Sequence, residues 1–353
     1  MYIRVCLSAL AMILAILMIG CSDDDDNSVD SPNAPSIPTN LRAVGTYGNI
    51  HLTWDASSGG GLIGYNVDRS TDGVNFAQRN GDPIPITEFD DTYLEDGVVY
   101  YYRVTADGES ESAPSNIVRE IHGTRLDPLY SSGLVVAAGV ANPYVVEDTV
   151  VINGGGIEVQ TGAELYVKEG AVIDIEYSDI TTSALKVYGL LRVVATPDST
   201  AKLTSHKTSG SLADGEGCRL RFESAVDYDA VEDTGCLVQN MEIVNLQDGN
   251  QAIDVLNCSP RFYNCKITAN KVSGGSYFEI RGSSAPVIEN CSVNNMVITV
   301  RTDLRSTLAM IRKNICRDGY YSIYFSGQDN PAVTPGQVVD NDFDGTVNGL
   351  YLL

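Results

Sequence analysis

The chain has 353 residues and a formal charge of −23, with 46 acidic against 23 basic side chains. That length exceeds one ordinary domain and points to two or three units. So acidic a composition excludes nucleic acid and anionic lipid headgroups as ligands, because both require clustered Lys and Arg; calcium, basic partners and neutral glycans stay compatible with it.

Residues 1–20 read as a leader rather than as fold. Arg4 supplies a positive start, and Val5 to Gly20 form an apolar run with no acidic residue. The run is shorter than the ~20 residues of a spanning helix, so it reads as a secretory signal that is removed. The segment Leu17-Met18-Ile19-Gly20-Cys21 resembles the lipobox of bacterial lipoproteins. That resemblance implies lipidation at Cys21 and attachment to a membrane through the N-terminal lipid, since two or more acyl chains anchor a protein stably. Residues 21–37 then form an Asp-rich tether, with Ser22 followed by Asp23 to Asp26. In envelope lipoproteins a serine after the lipidated cysteine resembles an outer-membrane sorting signal, and an acidic run resembles a surface-export tag. A like-charge block is also simply a solvated, self-repelling tether. The expected location is the cell envelope, at the outer membrane, facing the periplasm or the surface.

Residues 38–122 carry short alternating strands: Ile50 to Trp54, Tyr65 to Arg69, and a run through Tyr100, Tyr102, Val104 and Ala106. Turn residues separate them, as in a β-sandwich. The tryptophan at Trp54, together with Tyr100 after Leu94-Glu95-Asp96-Gly97, resembles a fibronectin type III domain. Trp54 would be its core tryptophan and Tyr100 its tyrosine corner, so both are expected to be structural. Such a module implies a spacer or a protein-contact unit.

Residues 123–353 repeat. Asn240, Asn264, Asn290, Asn314 and Asn341 stand 24, 26, 24 and 27 residues apart. A period in that range means stacked supersecondary units. Asparagine suits the sharp turns of such a stack, because it tolerates left-handed backbone and hydrogen-bonds along it. Earlier, Gly162-Ala163-Glu164-Leu165-Tyr166-Val167 is echoed eight residues later by Gly170-Ala171-Val172-Ile173-Asp174-Ile175. These motifs, with the Asn-Cys pairs, resemble right-handed parallel β-helix proteins of the pectin-lyase-like superfamily. The expected fold is therefore all-β: a fibronectin type III sandwich followed by a right-handed parallel β-helix of about eight to nine coils.

Six cysteines fall in this region. Their spacing fits no zinc site. Cys265 and Cys291 each follow a repeat asparagine and should lie one above the other, as buried thiols; a Cys236–Cys258 pairing is not decided by sequence.

The signatures of polygalacturonase-like hydrolases, Asn-Thr-Asp, Asp-Asp and Gly-His-Gly, find no match among the coils. His206 is the one histidine among them that could serve as a general acid or base. One constellation could carry chemistry. Asp254, Glu279, Thr299 and Tyr324 should share an outward position, with Arg281 and Arg301 in the next and Asp303 close behind. Asp254, Glu279, Arg281 and Arg301 are the candidate catalytic groups for β-elimination; Asp303 and Tyr324 are candidate ligand contacts. The competing reading is an exposed face of cross-strand charge pairs, each contributing roughly 0.2–1 kcal/mol. No metal site or cofactor is called for, and calcium has no specific support. The reading favoured is a non-catalytic, lipid-anchored protein presenting a β-helix to a glycan or a surface protein, with self-association through the C-terminal strand edge. The alternative is a polysaccharide lyase or glycoside hydrolase acting on an acidic polysaccharide. Short, regular coils between Asn240 and Asn341 favour the former. Only the Lys207-to-Gly217 and Asn270-to-Ser276 stretches look long enough to wall a cleft.

Overall fold

In the computed structural model, residues 34–45, 48–95, 97–139, 143–178, 182–213, 216–247, 249–270, 276–301, 309–317, 321–326, 338–344 and 348–352 are described. The leader, Cys21 and most of the Asp-rich tether lie outside them.

Period-2 alternation in the first part of the chain gives seven strands: β1 (Thr39–Gly45), β2 (Ile50–Asp55), β3 (Gly64–Ser70), β4 (Ala77–Gln78), β5 (Glu88–Asp91), β6 (Val99–Asp107) and β7 (Val118–Ile121). They form two antiparallel sheets, ordered β1-β2-β5 and β4-β3-β6-β7, which is the strand pairing of a fibronectin type III sandwich. Inward residues of both sheets close the core. Trp54 meets the Tyr65 ring edge-on at 5.4 Å, a favoured aromatic geometry. Tyr100 is buried, and its hydroxyl accepts a hydrogen bond from the Glu95 amide at 2.8 Å. That bond fixes the turn before β6. Tyr102 is also buried and donates to Asp91 at 2.9 Å.

From Thr124 onward the strands of the described residues pair in parallel, and an isolated antiparallel bridge, Asp229 with Thr234, lies in an excursion between strands. Among the described residues, three sheets of nine strands each run the length of the chain to Leu352. The chain visits them in rotation. Thr124–Arg125 opens the first sheet, Leu129–Tyr130 the second and Leu134–Val136 the third, and the next coil begins at Tyr144–Val146. Strand, crossover and parallel strand follow the right-handed rule for such connections. The result is a right-handed parallel β-helix of nine coils. The echoed glycine motifs are successive sides of one coil: Glu164–Lys168 lies in the first sheet and Val172–Glu176 in the second. Gly162 and Gly170 turn the corners with φ of 79° and 74°, angles that glycine adopts without steric cost.

Register stacks like on like. In the third sheet Val187, Phe222, Val255, Ile280 and Val300 pair in sequence, all inward and buried. Phe222, Phe262 and Phe278 fill the middle of the helix edge-to-face, at 5.8 and 5.0 Å between successive rings.

The asparagine column is not a single column. Asn240, Asn264 and Asn290 occupy the left-handed bend between the first and second sheets, with φ of 50°, 53° and 55°. In the last two coils Lys313 and Asp340 take that bend, each with φ of 55°. Asn314 and Asn341 stand one residue later, at the place held by Cys265 and Cys291 in the coils before. The expectation that all five form the turn is thus corrected for two of them. The later position faces inward, where a polar side chain must be satisfied. Asn314 donates to the Ile288 carbonyl at 2.9 Å and to Asn341 Oδ1 at 3.0 Å, and it accepts from the Cys291 amide at 2.8 Å. Asn341 donates to the Ile311 carbonyl at 2.9 Å. On the outer side Asn264 donates to Asn240 Oδ1 at 2.6 Å, and Asn240 to the Ala195 carbonyl at 2.8 Å.

Cys218, Cys236, Cys258, Cys265, Cys291 and Cys316 are free, buried thiols. Cys265 and Cys291 stack in adjacent coils as expected, with a side-chain hydrogen bond between them; Cys236 and Cys258 are not bridged. Burial pushes the thiols of Cys218, Cys258 and Cys316 up to about 12 and that of Cys236 to about 11. A thiol held protonated in an apolar core is inert. Cys218, Cys236, Cys258 and Cys316 are therefore predicted not to react with a disulfide reagent at about pH 8 in the folded protein and to react fully in guanidinium. A fast-reacting thiol from this set in the native state would contradict the packing.

Candidate functional site

The residues singled out on the third sheet do come together, but as a salt-bridge ladder. Arg221, Asp254, Glu279 and Thr299 pair in register along successive strands, all on the outward side because their neighbours face the core. Arg281 and Arg301 follow Ile280 and Val300, which pair with each other. The charges alternate as Glu223, Arg221, Asp254, Arg281, Glu279 and Arg301. Arg221 reaches Glu223 at 2.8 Å and Asp254 at 3.5 Å. Arg281 grips Asp254 through two bonds of 3.0 and 2.7 Å and lies 3.4 Å from Glu279. Arg301 pairs with Glu279 through Nε. The carboxylates are not exposed, as the charge-pair reading assumed: the Asp254 and Glu279 side chains retain 0% and 1% exposure. Buried this far, a carboxylate must be paired and hydrogen-bonded.

Arg221 and Glu223 were not anticipated. Their strand precedes the first repeat asparagine, so the asparagine spacing gives no register for it. Tyr324 continues the column by pairing with Thr299. Asp303 lies outside the described residues. His206 sits on the second sheet, its Nδ1 3.0 Å from Asp174, away from the third-sheet ladder. Among the described residues no group of three or more His, Cys, Asp or Glu could hold a metal ion.

The other faces repeat the arrangement. On the second sheet Lys202, Glu242 and Lys266 pair in register, with the carboxylate 3.7 and 2.6 Å from the two amines. The hydrogen bond from Lys266 holds Glu242 below the usual carboxylate range. On the first sheet Glu289 lies between Arg261 at 3.2 Å and Arg312 at 3.0 Å. Burial raises Glu289, but the Arg312 and Arg261 guanidiniums together outweigh it and hold the carboxyl low.

A second site is a cleft of about 680 Å³ where the sandwich meets the β-helix. Only His122 and Gly123 separate β7 from the first coil. Tyr166 and Val145 point outward from the first sheet and bury against Ile121, with Val99, Leu190 and Val194 beside them. Glu120, its side chain 2% exposed, binds Arg125 at 2.6 Å and Lys168 at 3.0 Å, and both cations also hold Glu147. Arg119 of β7 pairs with Glu169 at 2.5 Å. Gly97, at φ 73°, is pressed so close that a Cβ there would lie 2.1 Å from the Tyr166 hydroxyl. These contacts fix the sandwich over one end of the first sheet. The third wall of the cleft is the excursion between Glu223 and Leu237, which brings Asp233 within 3.0 Å of Arg192. Sequence reasoning passed over this excursion. The available signal was the triplets Tyr144-Val145-Val146 and Leu165-Tyr166-Val167, whose middle residues are apolar where an exposed strand would alternate.

Residues 196–353 match the family model described as a right handed beta helix region. Amylopullulanase of Thermoanaerobacterium saccharolyticum is 32% identical over 73 residues, which is 21% of this chain and 6% of that protein. The chain thus spans a small fraction of the length of that curated relative. Among solved structures, an Fn3-like protein from Clostridium thermocellum is 34% identical, over 24% of this chain and 90% of its own, with a TM-score of 0.23. A family 28 exopolygalacturonase from Yersinia enterocolitica is 10% identical, over 90% of this chain and 76% of its own, with a TM-score of 0.33.

Arg281→Ala would strand the buried Asp254 carboxylate without its two-point partner. The expected cost is roughly 3–5 kcal/mol, the range for breaking a buried pair from one side, read as a shifted urea midpoint. A loss below about 1 kcal/mol would place the pair among exposed ones.

Proposed function

We propose that this is a non-catalytic, lipid-anchored protein of the cell envelope, held at the outer membrane through Cys21. Its β-helix serves as a rigid rod that binds a glycan or another surface protein. One observation carries the reading: the third-sheet carboxylates are engaged in the same way as those of the other two faces. A general acid or base must be able to exchange a proton with substrate. Asp254 is instead buried with both oxygens held by Arg281, and Glu279 is buried between Arg281 and Arg301, its Oε2 within 3.4 Å of Arg281 but without a hydrogen bond. Arg281 could serve as a base in β-elimination only by giving up Asp254.

The seating of the sandwich supports the rod. Buried ion pairs and an apolar patch tie β7 to the first coils, which seats the module on the β-helix. The acidic segment after Cys21 is the proposed tether, on its composition alone. The lipobox-like segment supplies the anchor, by resemblance.

The experiment is a screen of the chain against acidic and neutral polysaccharides, with and without calcium. Unsaturated products, reducing ends and pull-down binding are read in parallel. Retention without turnover is the expected result. Turnover abolished by Arg301→Ala, which sits at the rim of the ladder, would replace the binding reading with a lyase or hydrolase. Unchanged silence on glycans together with capture of a purified envelope protein would fix the partner as protein.

A further inference from the structure

We infer that the cleft between the sandwich and the β-helix is a binding site for a short, neutral, hydroxyl-rich oligosaccharide. This rests on the binding reading above and gives it a place and a ligand class. Its volume of about 680 Å³ falls within the ~300–1,000 Å³ of small-molecule sites, which favour interfaces between folded units. Buried ion pairs hold two of the walls together, and Arg192 meets the third through the exposed Asp233 carboxylate and the Gly235 carbonyl. Binding there costs little ordering.

The lining selects the ligand. Val99, Leu190 and Val194 give an apolar floor, which suits the C–H face of a sugar ring. Tyr101, half-buried on the outward side of β6, offers an aromatic flank. Around this floor converge Arg119, Glu164, Arg192, Asp233 and Gln239. Carboxylates, guanidiniums and a carboxamide together can accept from and donate to hydroxyl groups. Net charge decides against an acidic ligand. Arg119 is matched by Glu169 and Arg192 by Asp233, while Glu164 and Glu232 add further negative charge to the lining. The chain as a whole carries −23. A uronic-acid polymer would meet repulsion at the mouth, whereas a neutral glycan would not.

Titration calorimetry of the full chain tests this, using maltohexaose, cellohexaose, xylohexaose and hexagalacturonate as probes. At least one neutral hexasaccharide should bind saturably, and hexagalacturonate should bind at least about ten-fold more weakly. Tyr101→Ala and Arg192→Ala should each weaken binding about ten-fold or more, with unchanged circular dichroism. Gln239→Ala gives the same reading with a milder change if either of those fails to fold. Binding that survives all three cleft variants but is lost in Arg301→Ala would overturn the cleft while leaving a glycan-binding rod in place. No binding of any neutral probe would overturn the inference outright.

Discussion

Parallel stacking in register is the constraint on which the rest of this molecule depends. Each coil pairs residue for residue with the one before it, so side chains form columns along the rod instead of scattered contacts. Inward columns must be apolar, as Phe222, Val255, Ile280 and Val300 are. Outward columns face a sharper demand, since neighbours sit about 4.8 Å apart and like charges at that spacing repel. Opposite charge within reach is the solution on all three sheets: the Lys202–Glu242–Lys266 column alternates in sign, Glu289 is met by Arg312 in its own column and by Arg261 from two residues away, and the stacked Asp254 and Glu279 are offset by Arg221, Arg281 and Arg301. A chain with such an acidic excess therefore commits many of its few cations to holding carboxylates in the rod.

The same columns explain the seat of the sandwich. Where the first sheet is covered by β6 and β7, its outward residues turn apolar at Val145, Tyr166, Leu190 and Val194. At the edge of that patch Glu120, Arg125, Glu147 and Lys168 form a closed four-charge group. Burying the charges is compensated by their mutual geometry, and the two-residue link leaves little freedom to separate the units. The cleft is what remains where the covered strip ends and the excursion from Glu223 to Leu237 begins.

Much of this was legible in the sequence for a physical reason: corners and interiors of a coil are chemically demanding. Left-handed bends choose asparagine or glycine, and the interior chooses apolar residues at alternate positions, so coil length and the Asp254–Glu279–Thr299 register could be read directly. The reading slipped at Asn314 and Asn341, because one residue type serves two adjacent places, an outer bend and an inner amide ladder. It missed Arg221 because that strand lies ahead of the asparagine repeat. It missed the cleft because nothing local distinguishes an excursion that walls a site from an ordinary polar turn. Only the apolar middle residues at Val145 and Tyr166 hinted that something covers that face.

The central claim is that the third-sheet carboxylates are structural members of a charge column. A double-mutant cycle on Asp254→Asn and Arg281→Met, read by urea denaturation, tests it most directly. Each single change should be costly, and the pair should recover much of the loss, with a coupling of about 2–3 kcal/mol. Additive single effects with negligible coupling would contradict the account and return Asp254 to the pool of groups available for chemistry.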